Sequence, residues 1–235
     1  TMSIKFPGDA QDVTSSSDGM KLAVVEEEDG GIWTSSDRGV TWKSTTVGGS
    51  GKSWKSITSS GDGTKLAAVV YEGNIWTSYN RGATWTERSI GFNDWQCITS
   101  SDDGTKLAAA GYEGNIWTSA DTGATWTEDT SIAGLIGGTR NWKSITSSAD
   151  GTKLAAGDGF DQGNIWTSDN SGAAWTEVTS ISTNKGWASI TSSGDGTKLA
   201  AINIFGTIYT SADSGAAWTE VTSIHTHTHT HNTHT

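Results

Sequence analysis

Short alternations of apolar and polar residues recur along this chain, separated by glycine-bearing polar turns. Between residues 53 and 88 the alternation predicts four strands, Ser53–Ser59, Lys65–Tyr71, Asn74–Ser78 and Ala83–Arg88. The turns between them hold Asp62-Gly63, Glu72-Gly73-Asn74 and Asn80-Arg81-Gly82. Asp-Gly suits a tight turn because glycine accepts the positive φ that such turns require. Strands this short, each followed by a turn, indicate an antiparallel meander.

The meander repeats. An Ile-Trp/Tyr-Thr-Ser block begins at Ile32, Ile75, Ile116, Ile165 and Ile208. An Ile/Val-Thr-Ser-Ser-x-Asp-Gly-Thr/Met-Lys-Leu-Ala block lies upstream of each. Trp42, Trp85, Trp126, Trp175 and Trp218 end a third block and are spaced 43, 41, 49 and 43 residues apart. That period is the size of a propeller blade. A β-solenoid competes, but its coils are usually shorter and lack paired hairpin turns. The expectation is therefore all-β: one five-bladed β-propeller of four-stranded antiparallel blades over residues 1–224. Its repeats fall near 4–47, 52–90, 93–132, 140–181 and 185–224, and residues 225–235 form a His/Thr tail.

Composition narrows the partners. The chain carries 26 acidic against 15 basic residues, a formal charge of −11, which repels nucleic-acid phosphates. No apolar run reaches the ~18–20 residues of a membrane span. Cys97 is the only cysteine, so no internal disulfide supports the fold. Abundant Ser, Thr, Gly and Asp with little Lys suits an extracellular or cell-surface protein.

The third block carries a resemblance. Ser35-Ser36-Asp37-Arg38-Gly39-Val40-Thr41-Trp42 and Ser119-Ala120-Asp121-Thr122-Gly123-Ala124-Thr125-Trp126 resemble the Asp-box (BNR) repeat of sialidases, sortilin-type receptors, some glycosidases and photosystem assembly factors. The other copies depart. Asn80 and Asn170 replace the aspartate, while Ala174 and Ala217 replace the threonine; Asp213 keeps the acid. The resemblance implies a propeller with the box on the turn between third and fourth strands. There its Asp and Ser bond the turn backbone and its Trp packs underneath. It implies no single activity, because the fold hosts many.

In an up-and-down blade the first turn and the Asp box share one face, and the second turn and the blade-to-blade connection share the other. Every length change falls on the second face, where specificity is normally built. Tyr71, Tyr112, Phe160 and Phe205 occupy its turns in blades two to five, with Glu72 and Glu113 beside the first two. Trp54, Trp95, Trp142 and Trp187 open the first strands near the same rim. Flat rings beside carboxylates and amides are the chemistry of sugar recognition. The same Trp register equally fits apolar wedges between neighbouring blades.

Catalysis finds little support. Sialidase chemistry, as the resemblance implies it, needs an arginine cluster and a Tyr–Glu pair, whereas this chain has only Arg38, Arg81, Arg88 and Arg140. Glu87, Glu128, Glu177 and Glu220 all follow the box Trp-Thr and read as solvated outer-strand residues. That leaves Glu26 to Asp29, Asp94, Asp158 and Asp161, too few oxygens in any one place for a Ca²⁺ site. Cys97 takes a slot held elsewhere by Ser56 and Ser144, as a small buried residue would. No cofactor is expected and the chain reads as a non-enzyme.

All histidines lie at the end. His225, His227, His229 and His231 alternate with threonine, so an extended tail would line them along one face. Three readings stand: a tag or disordered extension, a strand added to a neighbouring subunit, or an arm holding Zn²⁺, Ni²⁺ or Cu²⁺. The segment around Ser3–Phe6 either pairs with another copy or closes the ring beside blade five. The functional expectation is a non-catalytic structural or interaction module, self-assembling into oligomers or filaments through its terminal strands. A lectin binding glycans through the variable face is the alternative, and a degenerate glycosidase the third.

Overall fold

The computed structural model describes residues 9–27, 30–45, 47–49, 51–132, 140–160, 163–181 and 185–222. The tail histidines, the segment around Ser3–Phe6, Asp161 and most of the connection after Ile132 lie outside the described residues. Within them there are twenty strands and no helix, arranged as five four-stranded antiparallel sheets. Blade one is β1 (Ala10–Ser15), β2 (Leu22–Glu26), β3 (Ile32–Ser35) and β4 (Lys43–Thr45). Blade two is β5 (Trp54–Ser59), β6 (Leu66–Val70), β7 (Gly73–Ser78) and β8 (Thr86–Asn93). Blade three is β9 (Trp95–Ser100), β10 (Leu107–Gly111), β11 (Ile116–Ser119) and β12 (Thr127–Glu128). Blade four is β13 (Trp142–Ser147), β14 (Leu154–Asp158), β15 (Ile165–Ser168) and β16 (Thr176–Glu177). Blade five is β17 (Trp187–Ser192), β18 (Leu199–Asn203), β19 (Ile208–Ser211) and β20 (Thr219–Glu220). The five-bladed propeller is the architecture the repeats predict.

One boundary moves. Ala83 and Thr84, expected at the start of the fourth strand, belong to the box turn, so β8 begins at Thr86. The reason is local: Ala83 N–H donates to Asn80 O and Thr84 N–H to Asn80 Oδ1, which closes the turn before pairing can begin.

The apolar core lies between blades. Leu66, Ala68 and Val70 point to blade one and pack with Ala23, Val25 and Ile32. The alternate residues Ala67 and Val69 point to blade three and meet Ile98 and Ala109. Second strands buried on both faces need small or β-branched residues throughout, as their Leu-Ala-Ala-Val sequences supply. A β-bulge interrupts the first strand of each blade, for example between Trp54 and Ser56, which pair with Val70 and Val69. Plain alternation would set Trp54 and Ile57 on opposite faces; the extra residue brings both into the same joint.

Two sets of backbone bonds fix the faces. Arg38, Arg81, Thr122, Ser171 and Ser214, inside the box turns, donate N–H to Met20, Thr64, Thr105, Thr152 and Thr197 at the first turns. Tyr71, Tyr112, Gly159 and Ile204, at the second turns, donate to Ser53, Asp94, Asn141 and Gly186, which precede the first strands. The box face and the variable face are thus opposite ends of one scaffold.

The ring is open. Blade–blade joints run one to two, two to three, three to four and four to five, and no comparable joint links β17 back to β1 among the described residues.

Candidate functional site

The Asp box is structural in every copy. Ser35 Oγ donates to Asp37 Oδ1 at 2.8 Å and accepts Gly39 N–H at 2.9 Å. Asp37 accepts Thr41 N–H at 2.8 Å and the Thr41 hydroxyl at 2.6 Å. Trp42 Nε1 closes the turn on Gly39 O at 3.0 Å. Asn80 reproduces this with the hydroxyl reversed: its Nδ2 donates to Thr84 Oγ1 at 2.8 Å. Asp121, Asn170 and Asp213 bond Ser119, Ser168 and Ser211 in the same way. Trp85, Trp126 and Trp218 reach Gly82, Gly123 and Gly215 as Trp42 reaches Gly39. Trp175 packs against the joint of blades three and four. Hydrogen bonds from the box threonines hold the Asp37 and Asp121 carboxyls down at about 2.

The first turns hold a second such motif, which sequence reading did not resolve. Ser60 Oγ donates to Asp62 Oδ1 at 2.6 Å and accepts Lys65 N–H at 3.1 Å, while Thr64 N–H caps Asp62 at 2.8 Å. It recurs at Ser101/Asp103, Ser148/Asp150 and Ser193/Asp195. Its signal was the constant Ser-x-Asp-Gly spelling of those turns.

The variable face separates the two aromatic sets. Trp54, Trp95, Trp142 and Trp187 are only 1–2% exposed, which corrects their candidacy as ligand-binding residues: a ring closed off on both sides has no face to offer. They are wedges. Trp54 meets Trp76 edge to face at 6.4 Å, Trp95 meets Trp117 at 6.4 Å, and Trp187 meets Tyr209 at 5.4 Å. Trp95 Nε1 and Trp142 Nε1 reach back to Gly73 O and Gly114 O of the preceding blade.

Above them the turn aromatics stand in solvent: Tyr71, Tyr112 and Phe160 are each 37% exposed and Phe205 is 73%. Tyr112 and Phe160 touch edge to face at 6.0 Å across blades three and four. Lys55 lies 5.5 Å over the Tyr71 ring and is ion-paired with Glu27. Asp94 and then Glu72 push the Tyr71 phenol upward, and Glu113 does the same to Tyr112. Glu72 and Glu113 sit at φ 48° and 50°, the left-handed backbone that makes each turn tight enough to lift its tyrosine. The result is a band of exposed rings on the second turns of blades two to five, with carboxylates beside Tyr71 and Tyr112.

The outer-strand glutamates, and Glu26 and Asp158 among the carboxylates left open for catalysis, have structural partners. Glu87 and Glu128 accept Asn74 and Asn115 at 2.8 Å, Glu177 accepts Asn164, and Glu220 accepts Tyr209 Oη at 2.8 Å. Buried Glu26 takes Trp33 Nε1 at 2.8 Å. Buried Asp158 is ion-paired with Arg140 at 3.3 Å and caps Asn141 and Phe160 N–H. Cys97 is buried and its thiol pushed up to about 12 by desolvation, so it carries no thiolate. Among the described residues no group of His, Cys, Asp and Glu could hold a metal ion.

Clefts open elsewhere. One lies between blades one and two on the box side, beside Thr34, Trp42 and Arg81, and another between blades four and five beside Glu177 and Ser214. Similar gaps recur at the two intervening joints. A gap that repeats at every joint follows from sheets fanning apart toward their outer strands, and none of these is built around a special constellation.

Fold and repeat define the class: a β-propeller built on Asp-box repeats. Residues 32–45 match the BNR-Asp box repeat family. No curated protein matches the sequence. In structure the chain resembles the GH74 xyloglucanase of Xanthomonas campestris, with TM-score 0.70 and 14% identity over 89% of this chain but only 38% of that one. It also resembles YCF48 bound to D1 peptide, with TM-score 0.66 and 18% identity over 92% of this chain and 70% of that one. A chain of a nidogen/laminin complex gives TM-score 0.65 and 13% identity over 90% and 78%. At these identities the likeness concerns the fold. Well under half of the xyloglucanase is spanned.

Proposed function

We propose that the protein is a non-catalytic extracellular or cell-surface interaction module whose ligand contacts the aromatic band of the variable face. One observation carries the reading: the turn aromatics are exposed on a face that varies, while the strand-opening tryptophans beneath them are buried. The band is open, with Tyr71, Tyr112 and Phe160 each 37% exposed. That suits an extended ligand lying across several blades. Carbohydrate is the class that fits best, since Tyr71, Tyr112, Phe160 and Phe205 offer ring faces to sugar C–H groups while Glu72, Glu113 and Asp94 accept hydroxyls. The structural partners of Glu26 and Asp158 favour binding over hydrolysis.

The test is a broad glycan panel with wild type and the double variant Tyr112→Ala/Phe160→Ala. Binding that the double variant loses while keeping its thermal stability supports the reading. Silence across the panel contradicts it. Two of the similar structures carry a D1 peptide and laminin in their descriptions. A polypeptide ligand on the same band is accordingly the second reading, tested with a peptide library and the same variant. Turnover of an aryl glycoside would contradict both.

A further inference from the structure

Four joints hold five blades, and each joint is built from the same parts. A backbone ladder crosses the first turns: Ser17 N–H donates to Gly61 O, Gly61 to Asp102, Asp102 to Ala149 and Ala149 to Gly194, at 2.6–2.8 Å. The glycine of each first turn lies against a serine of the blade before. A Cβ built on Gly63, Gly104, Gly151 or Gly196 would sit 3.0–3.1 Å from Ser16, Ser60, Ser101 or Ser148. The box glycine likewise lies on a threonine of the blade before, with Gly82 on Thr34, Gly123 on Thr77, Gly172 on Thr118 and Gly215 on Thr167. An isoleucine from each side completes the seal.

The two ends of the arc hold the unmatched halves of this joint. The ladder stops at Gly194, whose N–H does not reach Ser17 O as it would in a closed ring. A Cβ on Gly19 would meet nothing within 4 Å, and one on Gly39 would have Leu22 and Trp42 of its own blade as its nearest neighbours. Val13 is 61% exposed, although its counterparts Ile57, Ile98, Ile145 and Ile190 are 3–7% exposed. At the other end Ile208 is 45% exposed, against 0–1% for Ile32, Ile75, Ile116 and Ile165. An open groove beside Ser193, Ala200 and Thr210 marks the same face. Donor, acceptor, knob and hole are all present, on opposite ends of one molecule that do not meet.

We propose that the end face of blade five docks on blade one of a second copy and rebuilds the internal joint between molecules. Thr210 then covers Gly39, Ser193 covers Gly19, Gly194 N–H reaches Ser17 O, and Ile208 and Val13 are sealed together. The occupant follows from continuity: the face that fits blade one is the face blades one to four already present to their successors. The contact joins two different surfaces, so it propagates head to tail and ends in a larger ring or a filament. It is independent of the aromatic band.

Sedimentation velocity on the full chain tests it, with Val13→Glu, Ile208→Lys and an equimolar mixture of the two. Both positions are exposed, so neither change perturbs folding, which circular dichroism verifies. Wild type should sediment as species larger than a monomer, growing from micromolar to near-millimolar concentration. Each variant alone should be a monomer. Their mixture should associate, because V13E keeps a sound blade five and I208K a sound blade one. A wild type that stays monomeric throughout overturns the proposal. So do variants that assemble like wild type, or a mixture that fails to pair.

Discussion

Val13 and Ile98 hold the same register position in the first strand of their blades, one 61% exposed and the other 5%. The difference lies in what stands in front of them: Ile98 faces Ala67 and Val69 of blade two, while among the described residues no blade packs in front of Val13. Burial here is therefore a property of joints, and equal side chains carry unequal energies. Ile98→Ala should cost about 2–4 kcal/mol through lost transfer energy and a cavity. Val13→Ala in dilute protein should change stability by no more than about 0.5 kcal/mol. Urea melts of both variants check this, and equal losses would refute the open end.

The two aromatic sets should separate in the same way. Trp95→Ala removes a buried wedge and its bond to Gly73 O, at about 3–5 kcal/mol. Tyr112→Ala removes an exposed ring and should leave the melting curve nearly unchanged while weakening ligand binding. If Tyr112→Ala destabilises as much as Trp95→Ala, the ring is part of the core and the band is no site.

Acid should loosen the turns over a defined window. Asp37, Asp62, Asp103 and Asp121 are lowered from the ordinary 3.8 to about 2 by Ser and Thr hydrogen bonds. A carboxylate depressed by folding adds stability that is complete above about pH 4 and is lost as pH falls through about 2. These side chains are solvent-exposed, so the individual effects are small. Asn80 and Asn170 already make the box turn without a titrating group. Asp37→Asn combined with Asp121→Asn should keep the neutral-pH melting temperature and flatten its decline between pH 4 and 2. An unchanged decline would mean the box carboxylates are not its source.

Thr122 is a β-branched residue at φ 62°, a backbone region that its side chain disfavours. Thr122→Asn should stabilise the protein by about 1 kcal/mol, because asparagine tolerates that conformation. The Tyr79 hydroxyl donates to the Thr122 backbone carbonyl and not to its side chain, so the contact survives the change. A loss of melting temperature would show that the threonine side chain is needed there.

Strand count, blade number and the role of the Asp box were legible in the sequence, because Asp-Gly turns and repeating Trp positions punctuate it without ambiguity. The fate of Trp54, Trp95, Trp142 and Trp187 was not. Their register suits a rim or a wedge equally, and the bulge that turns them into the joint carries no residue signature of its own. The left-handed backbone at Arg38, Arg81, Thr122, Ser171 and Ser214 was hidden as well, since none of these is glycine. Least legible was the open ring. Five repeats set the number of blades, but the angle between neighbours is decided by how Gly82 meets Thr34 and by the three joints like it.

The open arc can be read directly through a thiol at its end. Cys97 is buried with its thiol pushed up to about 12, so it stays silent to a thiol reagent and Val13→Cys supplies the one reactive site. In dilute protein V13C should react at the rate of a free thiol, and the rate should fall as concentration rises and a second copy covers it. Protection at every concentration would mean that blade five closes the ring within one molecule, and full reactivity at every concentration would mean that no copy docks there.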